Sequence, residues 1–282
     1  MIGLLLCGAL AATTPDLAAL WNFSDPAASE QRFRDALATA KGDDALILGT
    51  QIARTWGLRK DFDRARAGLA EIEPRVKEAG PEAKARWELE MGRTFSSATH
   101  SPASQTPEAK ARARRHFESA LDLARRAKLD ALAIDAIHMM AFLDTAPAEQ
   151  EKWAREALAV VLASDQPAAR RWEGSVRNNL GYALHQQGRY AEALAEFEQA
   201  LAIRERDAGP VAQRSARWMV AWTLRAMGRT DEALALQLRL EREGDADGKP
   251  DPYVFEELAL LYRSKGDETR AAHYAARKAA LR

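Results

Sequence analysis

The sequence predicts an all-α fold, a solenoid of antiparallel helix pairs. Three observations predict it. Apolar residues recur at helical spacing, and no strand-like alternation of any length interrupts them. One packing pattern of small and bulky residues returns along the chain at steps of about 36 to 48 residues. Between copies the chain is punctuated by Gly and Pro, which end helices and begin the next.

The elements follow in chain order. Residues 1–12 carry an apolar run from Ile2 to Ala12 that closes on Ala9-Leu10-Ala11, the hydrophobic core and small-residue exit of a secretory signal. The reading is a signal-like segment and export to the periplasm or cell envelope. The alternative is a short packed helix on a cytoplasmic protein, because the basic start of a signal is missing. A lipid anchor at Cys7 is disfavoured by the bulky Leu6. Residues 13–42 read as N-terminal partial or capping helices, with Phe33, Ala36 and Leu37 as the first copy of the pattern. From 43 to 282 about six helix pairs are expected. Their second helices carry Ala65, Leu69 and Ile72, then Ala113, Phe117, Ala120 and Leu121, and then Ala154, Ala157 and Leu158. The next holds Ala193, Phe197, Ala200 and Leu201, followed by Ala233, Leu234 and Leu240, and finally Ala271, Ala275 and Ala279.

Each copy is preceded by another helical segment, among them "ARWELEMGRTF", "EGSVRNNLGYALHQQ" and "ARWMVAWTLRAM". The turns "QGRY", "MGRT" and "KGDE" place Gly188, Gly228 and Gly266 just past a helix C-terminus, where Gly is favoured. Asp231 and Glu268 open the following helices and suit their positive ends. Between pairs stand "EAGPEA", "ASDQPAA", "DAGPVA" and "GDADGKPDP". One pair cannot bury its own apolar face, so pairs stack. Six pairs and a partial one use nearly all of the 282 residues.

Leu180, Gly181, Leu184, Tyr190, Ala193, Phe197 and Ala200 carry a pattern that resembles the tetratricopeptide repeat (TPR) family. Arg177 stands at that pattern's tryptophan position. Val220, Ala221, Leu224, Gly228 and Ala233 form a second copy, and Leu258, Ala259, Tyr262, Gly266 and Ala271 a third. The long step is similar to the variant of the kinesin light chain family. The resemblance covers about residues 44–282 and implies a right-handed superhelix whose first helices line a concave, ligand-binding groove.

Composition narrows the function. Lys+Arg and Asp+Glu are equal at 41 each, which removes the electrostatic case for nucleic acid. No segment is long and apolar enough to span a membrane. The five histidines form no metal-ligand motif, and no nucleophile elbow or phosphate-binding glycine loop is present. No catalytic residue, cofactor or metal is therefore expected. Asp245, Asp247 and Glu256 half-match a calcium loop, but Lys249 and Pro250 occupy places that need an acceptor and a glycine, so a turn is expected. The basic run Lys110, Arg112, Arg114, Arg115 reads as a solvated helix face, with an anion or nucleic-acid patch as the alternative. "FSSATHSPASQTPEA" reads as an inserted surface loop, or as a lid on the groove.

The partner-binding candidates lie on the first helices of two pairs. Asn178, Tyr182 and His185 are spaced by four and three, as are Trp218, Trp222 and Arg225, so each trio lies on one stripe. Trp and Arg are enriched at binding hot spots. Packing between repeats is the alternative for the tryptophans. The function expected is a non-catalytic protein–protein interaction scaffold that holds a peptide or protein partner in the groove. A ligand-responsive regulator and a self-associating structural protein are the alternatives.

Overall fold

The computed structural model describes residues 16–281, so the signal-like segment 1–12 lies outside the described residues. The described residues are helical and contain no strand. The chain divides into two compact units, Met1–Ala136 and Ile137–Arg282.

The first unit opens with the short α1 (Leu17–Leu20) and α2 (Pro26–Leu37). Two helix pairs follow, α3 (Gly42–Leu58) with α4 (Phe62–Val76), and α5 (Pro81–Phe95) with α6 (Pro107–Arg126). α7 (Asp130–Leu143) runs across the division. The second unit continues with α8 (Pro147–Ala163) and one turn, α9 (Pro167–Arg170). It closes with three pairs. These are α10 (Glu173–Gln186) with α11 (Tyr190–Asp207), α12 (Pro210–Ala226) with α13 (Thr230–Ala246), and α14 (Pro252–Ser264) with α15 (Glu268–Ala280).

Local chemistry sets these boundaries. Prolines of the inter-pair breaks stand in the first turn of α5, α9, α12 and α14, where the missing N–H is no loss. Asp25, Asp61, Thr106, Asp251 and Asp267 cap the next helices by accepting from backbone N–H groups. Gly188 ends α10 with φ 74°, and Gly228 and Gly266 repeat this at 75° and 77°. Lys60 and Lys128 fill the same left-handed position in other turns, with φ 66° and 54°.

The repeating pattern is a packing device. A Cβ added to Gly181 would lie 2.8 Å from the Phe197 ring, and one added to Gly92 would lie 2.5 Å from Phe117. Each Phe therefore sits on bare backbone of its partner helix, and both rings are fully buried. In α12/α13 the same places hold Ala221 and Gln237, both with no exposed surface. Neither polar atom of the Gln237 amide has a hydrogen-bond partner.

The tryptophan place has a different solution. Arg177 is buried and pairs with Glu173 at 2.9 Å and with Glu196 on α11 at 2.9 Å. Arg217, in the next pair, is buried beside Glu205 and Glu243. In each, an aliphatic stem packs inward and the guanidinium is neutralised by carboxylates, so an arginine fills the buried place.

Other expectations change in the details. The longest step reflects the 96–106 segment, which is well structured rather than loose. Ser96 Oγ donates to Gln105 at 2.6 Å, Gln105 Nε2 donates to Ser97 O at 3.0 Å, and Thr99 reaches Gly57 O at 3.2 Å. On α15 the inward residues are Ala271 and Tyr274. Ala275 and Ala279 are exposed, because among the described residues no further helix covers their side. Asp245 and Asp247 are taken by Arg277 and Arg214, at the end of α13. The first unit also buries a charged cluster, in which Arg93 and Arg54 share Glu90 and Asp135.

Candidate functional site

The first helices of three successive pairs, α10, α12 and α14, bring an aromatic row together. Tyr182 stacks with Trp222 at 6.1 Å between ring centres, and Trp222 with Trp218 at 5.6 Å. Trp218 then meets Tyr253 edge-on at 6.4 Å. The spacing of four on α12 puts its two indoles one turn apart on one face, which is why they lie parallel. Each such contact contributes about 0.5–1.5 kcal/mol beyond its buried area.

The six sequence candidates occupy different depths in this row. Tyr182 is 44% exposed. Asn178, Trp218, Trp222 and Arg225 are half-buried. His185 is buried under Trp222, with ring centres 3.4 Å apart, and touches Tyr190 from its other side. The tryptophans thus pack between repeats and also carry partly open surface. Trp218 rests on the core around Leu240, Val254 and Phe255, and its buried Nε1 has no acceptor.

Electrostatics separate two of the candidates. Burial, and then the nearby Arg225 charge, push the His185 imidazole down to about 4. It is a neutral packing ring at neutral pH. Arg225 is held in a fork by Glu257 on α14, with Nε–Oε2 at 2.6 Å and the second nitrogen at 2.9 Å from Oε1. Glu257 is 4% exposed. The pair clamps α12 to α14, so Arg225 offers a partner little unspent charge.

Two hollows flank the row, and Asn178 lines both. The larger, of about 600 Å³, lies among α12, α13 and α14 and is walled by Val211, Trp218, Met219, Pro250 and Tyr253. The smaller, of about 180 Å³, holds His138, Phe142, Asn179 and Tyr182. Tyr253 and Val211 are 64% and 67% exposed. Sequence reasoning missed both. Tyr253 lies one residue past the proline that opens α14, away from the stripe spacing, although the "DPY" helix start was visible.

Among the described residues, no group of three or more His, Cys, Asp or Glu side chains is placed to hold a metal ion. No described helix is long and apolar enough to cross a membrane. The arrangement can bind and orient apolar side chains and the backbone amides between them.

Residues 172–242 match the tetratricopeptide repeat family. No curated protein matches in sequence. Solved structures match over most of the chain. One is a signal transduction ATPase with numerous domains from Pyrococcus horikoshii, which carries a tetratricopeptide repeat sensor. It is 13% identical with a TM-score of 0.67, over 92% of this chain and 39% of that one. TPR-like repeats from Podosopora anserina, named for a kinesin light chain, are 16% identical with a TM-score of 0.53, over 75% of this chain and 100% of that one. A Rap protein complexed with competence and sporulation factor is 17% identical with a TM-score of 0.55, over 87% of this chain and 67% of that one. This chain thus spans about two-fifths of the first structure's length.

Proposed function

We propose that this chain, whose residues 172–242 match the tetratricopeptide repeat family, is a non-catalytic interaction protein that holds a protein or peptide segment along the aromatic row of α10, α12 and α14. The observation that carries this reading is the row itself. It spans three consecutive repeats, is open at Tyr182 and Tyr253, and borders a hollow of about 600 Å³. Large aromatics with few rotamers bind at low entropic cost, and a row of them across repeats suits an extended chain. Likeness in fold to a Rap protein solved with competence and sporulation factor supports a ligand of this kind.

The test is affinity capture from native extract with mass-spectrometric identification, using the parent and a Tyr182→Ala/Tyr253→Ala variant. Both tyrosines are exposed, so the variant should keep its helical circular dichroism. The expected result is a partner retained by the parent and lost by the folded variant. Equal recovery by both would move binding off this row. The Trp218→Ala/Trp222→Ala variant serves as a second arm, and its loss of fold would assign the indoles to packing alone.

A further inference from the structure

The first unit holds a second site of different chemistry. A hollow of about 490 Å³ is walled by the turn before α4, the end of α5, the 96–106 segment and the start of α6. Three cations from three elements line it, Lys60, Arg66 and Arg112. Two carboxylates line it too, one paired with a cation and one that caps a helix and keeps its charge. Asp63 pairs with Arg66, and Asp61 accepts the Arg64 backbone N–H at 3.3 Å as the cap of α4. Arg66 also donates to Thr94 O at 2.9 Å.

The other two cations are unmatched. The Lys60 backbone N–H donates to Gly57 O at 3.0 Å, but its ammonium has no hydrogen bond or ion pair among the described residues, and the Arg112 guanidinium lies over the Phe95 ring, 5.7 Å from its centre. Lys60 also holds a left-handed conformation, φ 66°, at a turn position that Gly fills in all three pairs closing the second unit.

The wall opposite is built to stay in place. His100 stacks on Phe62 with ring centres 3.7 Å apart, and its Nδ1 and Nε2 are engaged by Ser97 Oγ at 2.9 Å and Thr94 O at 3.1 Å. Together with the bonds of Ser96, Gln105 and Thr99, this makes the inserted segment a fixed wall. Such pre-ordering lowers the entropic cost of binding.

The geometry points to a phosphoryl-binding site in this hollow, in which Lys60 and Arg112 take the two negative charges of a phosphate monoester. The guanidinium supplies a fork of N–H donors and the ammonium a mobile point charge, the usual pair of partners for a phosphate. The source is a free phosphate compound or a phosphorylated side chain of a bound protein. The site is independent of the aromatic row and stands if that reading fails.

The test is calorimetric titration of the full chain with inorganic phosphate, N-acetyl-phosphoserine amide and N-acetyl-serine amide. Histidine C–H resonances are followed in parallel by NMR. Burial and the Arg66 charge hold the His100 imidazole below its usual value, so an added anion must raise it. The expected result is binding of both phosphates but not of the serine amide, with His100 titrating at higher pH in the complex. Lys60→Gly and Arg112→Gln should each weaken binding by about tenfold or more. Lys60→Gly suits the turn and Arg112 is exposed, so neither should unfold the chain. Tighter binding of the phosphoserine compound would indicate a peptide source, and equal binding a free phosphate. No binding of either phosphate, binding that neither substitution weakens, or an unmoved His100 would overturn the proposal.

Discussion

Three residues sit against local preference, and each makes a measurable statement. Lys60 occupies a left-handed turn that costs an L-residue about 1 kcal/mol or more. Lys60→Gly should therefore raise stability by about 1 kcal/mol in a denaturant titration, while removing one of the unmatched cations described above. Gln237 buries an unpartnered amide at the place where α6 and α11 carry Phe117 and Phe197. Gln237→Leu should stabilise by about 1–3 kcal/mol, read as a higher urea midpoint at an unchanged slope. His185 is held near 4 in the folded chain and titrates near 6.5 when unfolded. Between those values only the unfolded state takes up its proton, so its contribution is complete above about pH 6.5 and is lost as pH falls toward 4. His185→Phe should remove this part of the acid sensitivity, checked by comparing thermal midpoints at pH 7.5 and pH 4.5. A midpoint difference equal to that of the parent would refute it.

At the scale of the helix pair, the glycine under each phenylalanine decides how closely two helices approach. Gly181→Ala would force its new methyl into the Phe197 ring at 2.8 Å. A loss of about 1–3 kcal/mol is expected, as for other overpacked cores. Part of this was legible in the sequence, because Gly181 and Phe197 both belong to the repeat pattern, whereas the 96–106 insertion sets Gly92 further from Phe117 and hides the same pairing. The helix ends were legible for the same reason, through Gly188, Gly228, Gly266 and the prolines. What was not legible arises between elements. His185 has the spacing of a surface stripe, but Trp222 of the next pair closes over it. Arg225 reads as a free hot-spot residue until Glu257, 32 positions on, takes two of its three guanidinium nitrogens. Tyr253 joins the row from a helix start that the stripe spacing does not reach. Charge balance at a distance and the covering of one helix by another are written in pairs of residues, not in the period of one segment.

For the molecule as a whole, repetition means that each pair is held by its neighbours. Within the second unit, Leu240, Val254, Phe255, Leu258 and Tyr274 form one core cluster, whereas Leu180, Leu184, Phe197 and Val220 belong to another. Stability in such a stack is close to a sum of pair and interface terms. Phe255→Ala should accordingly speed amide hydrogen exchange most in α14 and α15 and least in α10 and α11. Uniform acceleration across all of them would show one cooperative block instead. The 96–106 insertion belongs to this scale as well, since the sequence announced its length and polarity but not the hydrogen bonds that hold it.

The two stacked indoles of α12 have an optical consequence. Transition dipoles this close exchange excitation, so Trp218 and Trp222 should give a paired circular-dichroism band that neither would show alone. The neutral imidazole on one face of Trp222 leaves its emission far less quenched than a protonated ring would. Any segment that settles against these rings must alter both signals. The protein therefore carries its own label at the surface proposed for its partner, and binding there can be followed by light in the unmodified chain.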